Sequence, residues 1–153
     1  MAESQTALTY DGDAIDLLIT QHSLIRDLFA EVKATQGEAR QDAFHRLRRM
    51  LAVHETAEEE VVHPTARRQL ADGDELVADR LAEENEAKQL LGQLEELQPD
   101  EPRFLELLDQ LRFAVLSHAR SEERYEFVQL RQESTPATMR AMAAAIRAAE
   151  AAA

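Results

Sequence analysis

The chain has 153 residues, 44% of them hydrophobic and 31% charged, with a formal net charge of −13. That length suits one domain burying roughly 70% of its unfolded surface, and the carboxylate excess argues against nucleic acid or an anionic membrane as partner, since both need a Lys/Arg face. With no cysteine there is no disulfide, thiolate nucleophile or Cys-bound cluster, which leaves histidine and carboxylate as the metal ligands on offer.

Met1 to Tyr10 shows no basic region followed by an apolar run, and no stretch approaches the roughly 20 apolar residues of a membrane span, so a cytoplasmic protein is expected. Asp11-Gly12-Asp13 supplies cap-type residues for a first helix. Ile15, Leu18, Ile19, His22, Ile25, Phe29 and Val32 then recur at helical spacing, and Gly37 reads as the stop. A second helix from about Gln41 carries Phe44, Leu47, Met50, Leu51, His54, Glu58, Val61 and Val62 on one stripe. Pro64 interrupts its last turns and is expected to kink it. Asp72-Gly73-Asp74 turns into a third helix, Asp74 to Leu97. Pro99-Asp100-Glu101-Pro102 breaks it, and a fourth helix runs from about Arg103 to Gln132. After Ser134-Thr135-Pro136 a short Ala-rich helix follows, with Met139, Met142 and Ile146 on one side. The expected fold is all-α: an up-down-up-down antiparallel four-helix bundle over 11–132, followed by an Ala-rich C-terminal helix or tail over 133–153. That tail is expected to close the bundle or to meet a partner.

One fragment is used twice. His54-Glu55-Thr56-Ala57-Glu58-Glu59 recurs as His118-Ala119-Arg120-Ser121-Glu122-Glu123, each time in mid-helix. Residues i and i+4 of a helix stand one above the other about 6 Å apart, so each His-x-x-x-Glu aims an imidazole and a carboxylate at one point. In the antiparallel bundle His22, His54, Glu58, His118 and Glu122 fall in one slab roughly 10 Å thick. A two-metal cluster fits such a slab, and the third helix should contribute near Glu83 to Asn85. Its apolar residues place Glu84 close to the centre of the inward face and Asn85 towards solvent, so Glu84 is the candidate ligand.

Other residues have simpler readings. His45 and His63 each lie nine residues from His54, on the opposite side of an α-helix, and are expected to face solvent. Tyr125 follows Glu122 by three residues and is expected to point inward, either as a core aromatic or as a phenol beside the metals. The remaining Glu residues read as solvated faces. Buried Glu58, Glu84 and Glu122 would need a cation or an inward Lys or Arg, and Lys88 is the basic residue nearest that face.

These residues resemble the hemerythrin-like, or HHE cation-binding, domain family. The family pattern is a lone His on helix 1, His-x-x-x-Glu on helix 2, a His on helix 3 and a second His-x-x-x-Glu on helix 4. The matches are His22, then His54 with Glu58, then His118 with Glu122, across roughly residues 11 to 132. The departure is on helix 3, where Glu84 stands at the position of the family's His. Some iron-sensing relatives use the Glu directly after the helix 2 His, which makes Glu55 a further candidate ligand.

The resemblance implies two Fe ions, with Mn or Zn as alternative occupants. His22 and His54 would hold one, Glu84 and His118 the other, and Glu58 and Glu122 would bridge. Extra carboxylate stabilises ferric iron and favours redox chemistry over reversible oxygen carriage. The ligands implied are O₂, peroxide or nitric oxide, with roles in peroxide decomposition, gas sensing or iron handling under oxidative stress. Two other classes compete: a metal-poor helical interaction module, and a hydrolytic two-metal site, for which no substrate-binding loop is visible.

Overall fold

The computed structural model describes residues 12–153. Met1 to Tyr10, read for a secretory pattern, and Asp11 of the first cap lie outside that range. α1 (Ala14–Ala34) starts at a capping box, in which Asp13 accepts from the Asp16 backbone N–H and Asp16 accepts in return. Arg40 closes its other end, donating to the carbonyls of Val32, Lys33 and Thr35 and to that of Pro99. One buried guanidinium thus satisfies helix-end carbonyls and ties down the loop at Pro99.

Gly37 does not stop α1 but opens the next helix, at φ +60. Such a backbone conformation is open to Gly at no steric cost. α2 (Gly37–Ala57) continues through a π-helical segment, Glu58–Val62, into α3 (His63–Gln69). α4 (Gly73–Glu95) follows a turn in which a Cβ on Gly73 would stand 2.3 Å from the Ala66 carbonyl oxygen, so only Gly lets α4 approach α3 there. α5 (Pro102–Ser121) also runs through a π-segment, Glu122–Phe127, into α6 (Val128–Glu133). α7 (Pro136–Ala152) is capped by Thr135, with Pro136 in its first turn.

The fold is an up-down-up-down antiparallel four-helix bundle with a C-terminal helix, and no strand occurs among the described residues. Cross-helix pairs give the directions. His22 meets Glu123 while Lys33 meets Asp109, and Arg48 meets Glu95 while Lys88 meets Glu55. α7 packs on α1 and α2. No helix among the described residues is long and apolar enough to cross a membrane.

Two apolar clusters fill the interior. One gathers Leu18, Val62, Val77, Phe127 and Leu130 with Met139, Met142 and Ile146 of α7. The other gathers Ile25, Phe29, Leu47, Leu94, Phe104, Leu108 and Leu111. A polar layer separates them. Phe104 is fully buried, edge-on to Phe44 at 5.2 Å between ring centroids. Phe104→Ala is expected to cost about 3–5 kcal/mol in urea unfolding, and a loss under about 1 kcal/mol would contradict this packing.

Candidate metal centre

The polar layer is made by both copies of the repeated fragment together with α1 and α4. His22, His54, Glu58, Glu84 and Glu122 are buried, and the His118 side chain is 11% exposed. His54 Nε2 lies 3.0 Å from Glu58 Oε2, and His22 Nε2 lies 3.2 Å from both His54 Nε2 and Glu122 Oε1. On the other side, His118 Nε2 is 3.6 Å from Glu58 Oε1, 3.4 Å from Glu122 Oε2 and 3.5 Å from Glu84 Oε2. Glu58 and Glu122 therefore each turn one oxygen to His22 and His54 and the other to His118.

Two residues expected elsewhere exchange roles. His63, expected in solvent, is 2% exposed, with Nε2 2.7 Å from Glu84 Oε2 and Nδ1 3.2 Å from Glu126 Oε2. Tyr125, expected inward, is 49% exposed, and the fully buried Glu126 takes the inward place. The π-segments are the cause. Each adds about one residue to its turn and sets everything after it back by about 100°. His63 moves from about 180° to about 80° from His54, close to the Glu58 direction. Glu126 moves from about 80° to about 20° from His118, while Tyr125 moves out to about 120°.

His45 is exposed as expected, bonded to Arg48. Glu55 is half-buried at the edge of the layer, and Asn85 faces solvent. Lys88 does not enter the core and pairs with Glu55 and Glu59 at the surface. The buried cation beside the layer is Arg80, which grips Glu83 through two 2.9 Å hydrogen bonds. Pro64 is the one sequence signal for His63: it has no N–H, and in an unbroken α-helix its ring would clash with the carbonyl four residues back, so it marks a helix that must leave α register. Nothing comparable marks Glu126.

Each ring nitrogen facing away from the centre has a partner. His22 Nδ1 lies 2.8 Å from Glu123, and His118 Nδ1 lies 2.8 Å from Glu83, itself held by Arg80. His54 Nδ1 donates to Gln21 Oε1 at 2.7 Å, and Gln21 Nε2 donates at 2.8 Å to Glu150 of α7. Carboxylates and amides behind imidazoles fix ring orientation and leave Nε2 free to ligate.

Electrostatics at the centre are those of a cation site. Burial opposes charge on His22, His63 and His118, yet the surrounding carboxylates win. They hold His22 well above its ordinary value, raise His63 to about 10 through Glu126 and Glu84, and raise His118 through Glu122 and Glu58. Burial would push Glu58 up, but His54, His118 and His22 around it bring it well below the ordinary range. Glu122 is raised by burial and by neighbouring Glu58. At the edge, burial raises Glu55 to about 7.

Glu58 Oε2, Glu84 Oε1, both Glu122 oxygens and His118 Nε2 are buried without a well-aligned hydrogen-bond partner. Such groups are costly unless something positive meets them. Two sets of four donors converge within 4.8 Å: His22, His54, Glu58 and Glu122, then Glu58, His63, Glu84 and Glu122. They share Glu58 and Glu122. The donors present fit bound metal.

Comparison with known proteins agrees. The family profile of the hemerythrin HHE cation-binding domain matches residues 13–151. The chain belongs to the hemerythrin HHE cation-binding domain family. Its fold is that of an HHE-domain-containing protein from Mycobacterium kansasii, with a TM-score of 0.82 at 21% identity over 92% of this chain and 86% of that one. A Nostoc protein named a DNA nickase is 30% identical over 131 residues, 85% of this chain but 37% of that protein's length. The chain thus spans little more than a third of that relative. The HHE match takes in α7, whose Glu150 stands behind His54.

A support residue and an outward residue should behave differently. Glu83→Ala is expected to weaken metal affinity by about 10- to 100-fold, measured by competition with a chelator. Tyr125→Phe should leave it unchanged, and an equal loss in both would remove the π-shifted register from the explanation.

Proposed function

We propose that this HHE domain is a non-haem di-iron protein that handles a small oxidising or diatomic ligand. The carrying observation is the split of two shared carboxylates: Glu58 and Glu122 each present one oxygen to the His22 and His54 side and one to the His118 side. His22 and His54 would hold one iron. Glu84, His118 and the π-shifted His63 would hold the other. His63 then brings an imidazole close to where the family's helix 3 His is replaced by Glu84.

Bound iron would supply one-electron redox chemistry and a place for a small ligand; carboxylate and imidazole donors suit a metal cycling between ferrous and ferric states. The chain supplies the rest. A cavity of about 60 Å³ adjoins the cluster, with Ile25, Leu51, Leu111 and Val115 among its apolar walls. It has room for O₂, peroxide or nitric oxide.

The name of the Nostoc relative raises a phosphodiester-cleaving alternative. A net charge of −13 repels a phosphate backbone, and a cavity of about 60 Å³ is too small to admit one.

Protein produced with iron is expected to carry about two Fe per chain, measured by metal analysis. Chelation should lower Tm by on the order of 10 °C. Less than half an iron per chain, or a Tm indifferent to chelator, would favour the metal-poor interaction module instead. His63→Ala is expected to reduce iron content while His45→Ala does not. Iron-loaded protein should leave supercoiled plasmid intact, and nicking would revive the hydrolytic reading.

A further inference from the structure

A second group of carboxylates leads out of the buried layer on the side of the cavity. One oxygen each of Glu55, Glu59 and Glu84 lies within 4.8 Å of the others. The three residues descend from solvent to core: Glu59 is 42% exposed, Glu55 22% and Glu84 4%. Glu84 belongs both to this group and to the inner set with Glu58, His63 and Glu122. Its Oε1 is buried and has no hydrogen-bond partner, while its Oε2 is taken by His63.

The positive charge at this place belongs to Lys88. Its Nζ lies 2.7 Å from Glu55 Oε1 and 3.4 Å from Glu59 Oε2, on a side chain that is 55% exposed. An ammonium on a long flexible stem at the surface is weakly held. Glu55, Glu84 and Lys88 also line the cavity that reaches the cluster.

We propose that Glu55, Glu59 and Glu84 form a third, transient cation site through which hard divalent metal reaches the inner pair, with the Lys88 ammonium as its displaceable counter-ion. The proposal rests on the di-metal reading above. An all-carboxylate set has no imidazole and so holds ferrous or manganous ions more loosely than the inner donors do. A cation there moves inward by keeping Glu84 while exchanging Glu55 and Glu59 for His63, Glu58 and Glu122. At no stage does the ion lose all its protein oxygens. Lys88 swings back as the ion leaves, so the outer carboxylates are never left uncompensated.

The test is anaerobic loading of the metal-stripped 153-residue chain with Fe²⁺, quenched at intervals with a chromogenic chelator, with helicity checked by circular dichroism. Glu59→Gln should slow loading about tenfold and Lys88→Gln should speed it severalfold, on the scale of local electrostatic steering. Both should finish at the wild-type iron content. Glu86→Gln makes the same charge change at an exposed position outside this carboxylate group and should load as wild type does. If Glu59→Gln matches wild type, or Glu86→Gln is slowed as much, no local site exists and overall charge suffices. If Lys88→Gln loads more slowly, Lys88 is no plug and the proposal falls. A wild-type chain that takes up no iron would overturn the di-metal reading and this proposal together. Wild type filling two sites beside unaffected variants would overturn this proposal alone.

Discussion

Burying carboxylate in a dry helical bundle is possible only against positive charge. Glu58, Glu84, Glu122 and Glu126 are all at most 4% exposed, in a layer closed above and below by apolar side chains. Left alone, each would cost several kcal/mol. The imidazoles of His22, His54, His63 and His118 stand against them, and the raised proton affinity of His22, His63 and His118 has the same electrostatic origin as affinity for a metal. Because ligating imidazole must be neutral, metal and proton compete for the same nitrogens. The rest of the molecule serves this layer: it holds eight side chains at one depth and keeps water from screening them.

The two π-segments set the composition of that layer. Both begin at the glutamate of His-x-x-x-Glu, so the motif itself stays in α register while the next turn is set back. On α2 the shift brings in His63, and on α5 it brings in Glu126 in place of Tyr125. These two then bond to each other across the bundle. Widened turns of this kind cost helix geometry and recur at functional sites. Here the gain is an imidazole and a carboxylate that an unbroken α-helix would have sent towards solvent.

Behind the candidate ligand atoms lies a ring of supports from four of the helices. Glu123 comes from α5's π-segment, Gln21 from α1, and Glu83 with Arg80 from α4. Glu150 comes from α7, whose Met139, Met142 and Ile146 also fill the adjacent apolar cluster. The Ala-rich last helix is thus joined to the bundle by packing and to His54 by two hydrogen bonds in series.

The amino-acid sequence alone carried the helical period, the breaks at Pro99-Asp100-Glu101-Pro102 and Ser134-Thr135-Pro136, and the pairing of His54 with Glu58 and His118 with Glu122. These are local matters: side chains four apart on a helix share a face whatever surrounds them. Glu84 was legible for the same reason, as the phase of one helix selects it over Asn85. His63, Glu126 and the outward Tyr125 were not, because a single residue of register slip redirects all that follows by more than a quarter turn. Pro64 marks the first slip locally, but nothing local marks the second, and what each slip brings into the core is decided by what the helices meet in three dimensions. Whether a carboxylate can be drawn into the core depends on the imidazoles facing it from other helices, and only the assembled bundle contains them.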